Sequence, residues 1–130
     1  MKCSEVMTRE VKGVKKTDDV FHAARLMREH DGFLPVLDDH GRLVGVVTDR
    51  DLAMKVCAAD RDPIGTEVGD VMSHPVVTCR STEPVARAER EMTVHALRRI
   101  VVVDAAGRAV GVVSATDIAR CRDEAAEGRR

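Results

Sequence analysis

The chain has 130 residues, of which 44% are hydrophobic and 33% charged, and its formal net charge is -1. This length suits one ordinary domain with a buried core, and it is too short for an enzyme domain of usual size beside a second domain. The near-neutral charge provides no long-range field to attract nucleic acid or an acidic membrane. Phe21 and Phe33 are the only aromatic residues, so the stacking platforms of single-strand binders are lacking.

The cysteines and the N-terminus indicate a cytoplasmic protein. The cysteines are Cys3, Cys57, Cys79 and Cys121. Their spacing matches neither a Cys-x-x-Cys motif nor a zinc finger, and it favours reduced thiols without a metal site. The first ten residues lack the apolar stretch of a signal peptide, and no apolar run approaches the ~20 residues that cross a bilayer. We therefore expect a cytoplasmic location and no membrane association.

Two parts of the sequence repeat each other. The Val-Met-Thr of residues 6–8 returns 65 residues later as Val-Met-Ser, and the Gly-Val-Val-Thr of residues 45–48 returns 66 residues later as Gly-Val-Val-Ser. Such self-similarity indicates a duplicated supersecondary unit whose copies bury their apolar faces against each other. The expected boundaries are a first repeat over residues 1–57, a linker over 58–69, a second repeat over 70–122 and a charged tail over 123–130.

In each copy a short apolar stretch precedes a helix. The first copy has such a stretch at residues 11–14, followed by a helix with Thr17 as its predicted N-cap. Apolar residues over 20–27 then follow the i, i+3, i+4, i+7 spacing of one helix face. The second copy has residues 76–78, and Thr82, Glu83 and Pro84 make the same helix start there, with the proline well placed in a first turn.

A β-hairpin follows each of these helices. The strands are expected at residues 34–37, 43–47, 100–103 and 109–113. Because they are almost entirely apolar, we expect them to be buried on both faces. A second helix begins directly after each hairpin, near Thr48 and near Ser114. The order strand, helix, two strands, helix (βαββα) predicts an α/β fold of the α+β kind.

These motifs, taken in order, resemble the CBS (cystathionine-β-synthase) domain. They are Met7-Thr8, Leu34-Pro35-Val36 and residues 45–52 in the first copy, and Met72-Ser73, residues 99–104 and residues 111–118 in the second. The ordered set occurs twice and covers nearly the whole chain, which makes the resemblance specific. The chain is similar to small stand-alone two-repeat bacterial CBS proteins, including those of the hypoxia-response type. The resemblance implies two βαββα CBS repeats packed with pseudo-twofold symmetry, an arrangement called a Bateman module.

The resemblance also implies a non-catalytic sensor of cellular energy state. Two clefts between the repeats would bind adenine nucleotides or another adenosyl ligand: AMP, ADP, ATP or S-adenosylmethionine. When the family's ligand-binding positions are transferred to this sequence residue by residue, the first cleft uses Lys12, Asp31, Gly32, Ser114, Thr116 and Asp117. The second cleft uses Val77, Leu97, Arg98, Thr48, Arg50 and Asp51. No catalytic residue, required cofactor or metal ligand is implied, and the expected partners are a second copy of the chain and an unidentified regulated protein.

The residue types suit an adenosine nucleotide. A carboxylate such as that of Asp51 or Asp117 can accept hydrogen bonds from both adjacent hydroxyls of a ribose. Thr48 and Ser114 lie where a strand meets a helix, and the free N–H groups of a first helical turn favour a phosphate. The adenine ring would lie against apolar strand residues such as Val11 or Val77. The candidate cations for the phosphates are Lys12, Arg50, Arg98 and Arg99.

Alternatives remain open at both clefts. Thr48-x-x-Asp51 and Ser114-x-x-Asp117 also have the form of helix capping boxes, a role compatible with ligand binding. Arg50 stands where the second copy has Thr116, and it could grip a phosphate or fill its cleft. The alternative function is a structural dimerisation or protein-interaction module with unoccupied clefts. An enzyme is not expected, because no acid and base pair or nucleophile elbow is evident, and nucleic-acid binding lacks a basic surface.

Overall fold

The structure is a computed structural model, and it describes residues 1–128 of the chain. The α-helices in this part are α1 (Cys3–Val6), α2 (Val20–Met27), α3 (Asp49–Leu52), α4 (Val85–Val94) and α5 (Ala115–Gly128). The strands are β1 (Phe33–Leu37), β2 (Leu43–Thr48), β3 (Thr78–Arg80), β4 (Arg99–Val103) and β5 (Ala109–Ser114). A π-helix over Ala53–Cys57 continues α3, and a 3-10 helix covers Val68–Asp70. The predicted α+β fold class is confirmed.

Both predicted hairpins form with the same register. β1 pairs antiparallel with β2, β4 pairs antiparallel with β5, and β3 joins β4 in parallel. The turn chemistry is shared as well: Asp38 Oδ1 accepts hydrogen bonds from the backbone N–H groups of His40 and Arg42, and Asp104 makes the same two bonds in its own turn. These donors hold the pKa of both carboxyls below the usual value.

Three details of the predicted elements are wrong. Residues 11–14 form no strand and contribute only an isolated parallel bridge between Val14 and Val36. The N-cap of α2 is Asp19, not Thr17, because the Asp19 side chain accepts the N–H of His22 at 2.8 Å. Burial on both faces holds for the central residues of β1 and β4 but not for β2 and β5, which alternate between buried and half-buried positions. Successive strand residues point to opposite faces, so only one face of β2 and of β5 is fully covered.

The described chain divides into two compact units that differ from the two sequence repeats. The continuous unit is Lys12–Val76, and the discontinuous unit joins Met1–Val11 to the chain from Val77 onward. The core of the continuous unit consists of Val14, Val20, Ala23, Met27, Leu34, Val36, Val47, Val56, Val68 and Val71. The core of the discontinuous unit consists of Cys3, Val6, Cys79, Val85, Ala88, Met92, Ile100, Val102, Val113 and Ile118.

The segment that begins each repeat pairs with the hairpin of the other copy. In the discontinuous unit Thr8 and Val112 exchange both backbone hydrogen bonds, at 2.9 and 3.0 Å. In the continuous unit Ser73 and Val46 make the same exchange at 2.7 and 3.1 Å. A Cβ atom added to Gly111 would lie 2.5 Å from the Met7 sulfur. The repeated Met-Thr/Ser motif therefore packs on the repeated Gly-Val-Val motif of the opposite copy.

The predicted linker and tail are partly ordered elements. Thr66 and Val68 are buried in the continuous unit, and Val68 N donates to Asp18 O at 2.8 Å. Residues 123–128 form the last turns of α5, while residues 129–130 of the predicted tail lie outside the described residues. The sequence boundaries of the repeats stay a prediction about the duplication, because the compact units divide the chain by packing instead.

Candidate functional site

The Thr48–Asp51 turn forms a complete capping box at the start of α3. Asp51 N donates to Thr48 Oγ1 at 3.2 Å, and Thr48 N donates to Asp51 Oδ2 at 3.0 Å. The Thr48 hydroxyl also donates to the same carboxylate oxygen at 3.2 Å. The predicted helix-capping role is therefore confirmed for Thr48 and Asp51. These capping contacts use Oδ2 of Asp51, the carboxylate that is also predicted to bind a ribose.

Two residues from outside the turn contact the other oxygen of Asp51. Ser73 Oγ donates to Oδ1 at 3.0 Å, and Lys55 Nζ lies 3.0 Å from the same atom. Lys55 Nζ also donates to the backbone oxygen of Val71 at 2.9 Å. The Asp51 side chain is only 9% exposed. It is a buried carboxylate whose charge is balanced inside its own unit.

The Ser114–Asp117 turn at the start of α5 is more open. Asp117 N donates to Ser114 Oγ at 3.0 Å, which is half of a capping box. Arg120 donates to Asp117 Oδ1 at 3.0 Å from a side chain that is 62% exposed. Within residues 1–128, Oδ2 of Asp117 accepts no hydrogen bond. The second copy therefore presents a half-buried carboxylate with free acceptor capacity.

The turn before each hairpin lies beside the turn after it. Gly32 O accepts the N–H of Asp49 at 2.9 Å, so the Asp31-Gly32 turn touches the first residue of α3. Asp31 and Gly32 have positive φ angles of 53° and 73°. In the discontinuous unit Arg98 O accepts the N–H of Ala115 at 3.0 Å. Each hairpin thus brings its two predicted ligand-binding turns to one end.

The predicted ligand-binding residues are divided equally between the units. The continuous unit holds Lys12, Asp31, Gly32, Thr48, Arg50 and Asp51. The discontinuous unit holds Val77, Leu97, Arg98, Ser114, Thr116 and Asp117. Lys12, Arg50, Arg98 and Thr116 are exposed, and Val77 is half-buried. Each predicted cleft takes residues from both units, so its composition stays a prediction.

Sequence reasoning missed Ser73 and Lys55 as partners of Asp51. Lys55 was detectable, because it follows Asp51 by four residues and that spacing brings side chains together on a helix. Ser73 was visible only as part of the repeated Met-Ser motif, since its contact with Asp51 depends on the tertiary fold. Among the described residues, no group of three or more His, Cys, Asp or Glu side chains is arranged to hold a metal ion.

Comparison with protein-family models matches the CBS domain twice, at residues 3–57 and 68–124. The chain therefore belongs to the CBS domain family, and the predicted internal repeat is confirmed. None of the helices in residues 1–128 has both the length and the apolar character to cross a membrane.

Curated relatives show the same similarity along most of the chain. The uncharacterized protein MK0525 of Methanopyrus kandleri is 32% identical over 115 residues, which cover 88% of this chain and 59% of MK0525. Hypoxic response protein 1 of Mycobacterium tuberculosis is 34% identical over 117 residues, which cover 89% of this chain and 81% of that protein. The chain thus spans only part of MK0525 and most of the second relative.

Solved CBS domain structures superpose closely on the chain. The CBS domain pair of MJ0100, in complex with 5'-methylthioadenosine and S-adenosyl-L-methionine, has a TM-score of 0.82 at 27% identity and covers 93% of this chain and 98% of its own. CBSX2 in complex with AMP has a TM-score of 0.80 at 29% identity, with 99% and 98% covered. Hypoxic response protein I with two coordinated zinc ions has a TM-score of 0.84 at 33% identity, with 92% and 98% covered.

Proposed function

We propose that the chain is a non-catalytic regulatory module that binds an adenine nucleotide or another adenosyl compound. The observation that carries this proposal is the duplicated Thr/Ser-x-x-Asp turn at a strand-to-helix junction, with a half-buried carboxylate at Asp117. The CBS pairs of MJ0100 and CBSX2, which share the fold, are complexes with adenosyl ligands. AMP, ADP, ATP and S-adenosylmethionine are the candidates.

Asp117 is the residue to which we assign the ribose. Two adjacent hydroxyls need two acceptor positions on one carboxylate, and Asp117 has its Oδ2 free within residues 1–128. At the start of α5 the N–H groups of Ala115 and Asp117 donate to Arg98 O and Ser114 Oγ, so a phosphate there would use the N–H of Thr116 and the positive end of the helix dipole. We propose that this site is completed by Lys12, Asp31 and Gly32. The second proposed site consists of Thr48, Arg50, Asp51, Val77, Leu97 and Arg98.

A thermal shift measurement tests the proposal. A ligand at 100 times its Kd stabilises the folded state by about 2.7 kcal/mol, so the four candidate compounds at millimolar concentration should include at least one that raises the Tm. Asp117→Asn should abolish most of that rise, because it removes the charged acceptor. The matched control is Asp123→Asn, an exposed aspartate of the same helix, which should leave the rise intact.

The second candidate function is a dimerisation or protein-interaction module. Val94 is 69% exposed and Leu97 is 38% exposed, and a shallow groove between α4 and α5 is lined by Met92, Leu97 and Ile118. We propose a cytoplasmic homodimer under either function, with a regulated protein as its further partner. A Tm that none of the four compounds moves, together with a dimer by light scattering, would favour this second function over ligand sensing.

A further inference from the structure

Lys55 and Ser73 fill the acceptor positions of Asp51 that a ligand would need. A carboxylate has two oxygens and about four lone-pair positions. Asp51 Oδ2 accepts the N–H and the hydroxyl of Thr48, and Oδ1 accepts Ser73 Oγ and contacts Lys55 Nζ. Four donors therefore face about four positions. A ribose diol could bind this carboxylate only after displacing some of them.

We propose that Lys55, together with Ser73, is an internal lock that keeps Oδ1 of Asp51 occupied, so that the chain binds one adenosyl ligand, at Asp117. This inference rests on the proposed function. Lys55 contributes more to the closure than a neutral donor does, because hydrogen bonds between charged groups are roughly twice as strong as neutral ones. The Lys55 side chain is 44% exposed, but its Nζ also donates to Val71 O at 2.9 Å, so the ammonium has a second partner, which Arg120 lacks within residues 1–128.

The segment that accepts the Lys55 hydrogen bond, residues 71–73, also contributes the Ser73 contact to Asp51. Val71 is buried in the core of the continuous unit, and Ser73 lies two residues further along the same segment. Lys55 itself lies in the π-helix Ala53–Cys57 that continues α3. Such π-helical turns are rare, and they occur frequently at functional sites. The Asp51 carboxylate thus links the π-helix that carries Lys55 to the segment that carries Val71 and Ser73.

The second copy of the repeat lacks both parts of the lock. Cys121 stands four residues after Asp117, where Lys55 stands four residues after Asp51. Thr8, which corresponds to Ser73, makes no hydrogen bond to Asp117 within the described residues. Arg120 contacts Asp117 from a largely exposed side chain, so it is screened by water and can move away. The duplication therefore supplies an open site and a closed one in a single chain.

Isothermal titration of the full chain with AMP, ADP, ATP or S-adenosylmethionine tests the lock. The wild-type chain should bind one equivalent of the compound that raises its Tm, and the double variant Lys55→Met/Ser73→Ala, which frees both occupied positions on Asp51 Oδ1, should bind two. The matched control is Lys15→Met, which breaks the surface ion pair of Lys15 with Asp39 in the same unit and should leave one equivalent. A thermal melt of each variant verifies that it is folded.

A second variant tests the lock in the opposite direction. Cys121→Lys places an ammonium four residues after Asp117 and should weaken binding of the same compound to the otherwise wild-type chain at least tenfold. Two equivalents bound by the wild-type chain, or one equivalent bound by the folded double variant Lys55→Met/Ser73→Ala, would overturn the lock and leave the proposed function standing. Absence of binding in the wild type and in every variant would overturn the proposed function, and the lock with it.

Discussion

Two cysteines of the discontinuous unit lie with their sulfur atoms 3.6 Å apart. Cys79 Sγ donates a hydrogen bond to Cys3 Sγ, and both thiols are free and buried. Burial raises the pKa of Cys3 above its usual value and raises that of Cys79 to about 12. Since the thiolate is the reactive form of cysteine, these two thiols serve packing rather than chemistry in the folded protein.

The raised pKa of Cys79 predicts a loss of stability at alkaline pH. Below the unfolded value of 9.0 both states hold the proton, so the stabilising effect of the buried neutral thiol is fully present. As the pH rises from 9.0 towards 12, only the unfolded thiol ionises, and the free energy of unfolding falls. Urea unfolding across this window should show a steeper fall for the wild type than for Cys79→Ala. The control Cys57→Ala, at an exposed thiol, should keep the wild-type slope.

At the scale of elements, two glycines determine how closely a neighbouring segment approaches each hairpin. A Cβ atom on Gly45 would lie 2.7 Å from the Met72 sulfur and 3.2 Å from Ser73 O. A Cβ atom on Gly111 would meet Met7 in the same way, at 2.5 Å. Both glycines are thus required by a close approach, which is one of the main structural uses of this residue.

Gly45→Ala should destabilise the protein by about 1–3 kcal/mol, because an added methyl in a packed site forces neighbours to shift. Met72→Ala removes the side chain that the new methyl meets. The double variant should therefore be more stable than the sum of the two single losses predicts. Urea unfolding of the four proteins measures this coupling. The control is Gly128→Ala, which should change stability little because no atom lies within 4 Å of the added methyl. If the stability losses of Gly45→Ala and Met72→Ala simply add in the double variant, the packing described is contradicted.

Local elements could be predicted from the sequence because their determinants are local. The hairpins follow from apolar runs around turns that Asp38 and Asp104 shape through bonds to residues two and four positions away. The capping box at Thr48 follows from the spacing to Asp51. The contact of Met7 with Gly111 joins distant parts of the chain, and no local pattern encodes it.

The candidate site was predictable in its residue types, and Arg50 in place of Thr116 already indicated that the two clefts differ, but the contacts that distinguish Asp51 from Asp117 were not predictable. The Thr48-x-x-Asp51 and Ser114-x-x-Asp117 motifs look equivalent in the sequence, and both were assigned a ribose. The structure distinguishes them through Ser73, which reaches Asp51 only because its segment pairs with β2. A tertiary contact, rather than the motif, thus decides which carboxylate has free acceptor positions.

At the scale of the whole molecule, the boundaries of the compact units differ from the boundaries of the two sequence repeats. Residues 1–11 belong to the first repeat by sequence but pack with the chain from Val77 onward. Cys3 and Val6 of α1 lie in the same core as Val85, Ile100 and Val113. Each repeat therefore completes its core with the opening segment of the other copy, which couples the folding of the chain's beginning to that of its second half.

Val6→Ala tests this division of the chain. The loss of two buried methyl groups should cost about 1–3 kcal/mol, and the cost should fall on the discontinuous unit, because Val6 packs in its core. Hydrogen exchange by mass spectrometry should show about 10- to 100-fold faster exchange in β4, β5 and α4, and little change in peptides from residues 12–76. The control is Val94→Ala, at an exposed position of α4, which should leave all peptides near wild type. Faster exchange in β1 and β2, with β4 and β5 unchanged, would assign α1 to the first repeat and contradict the compact units.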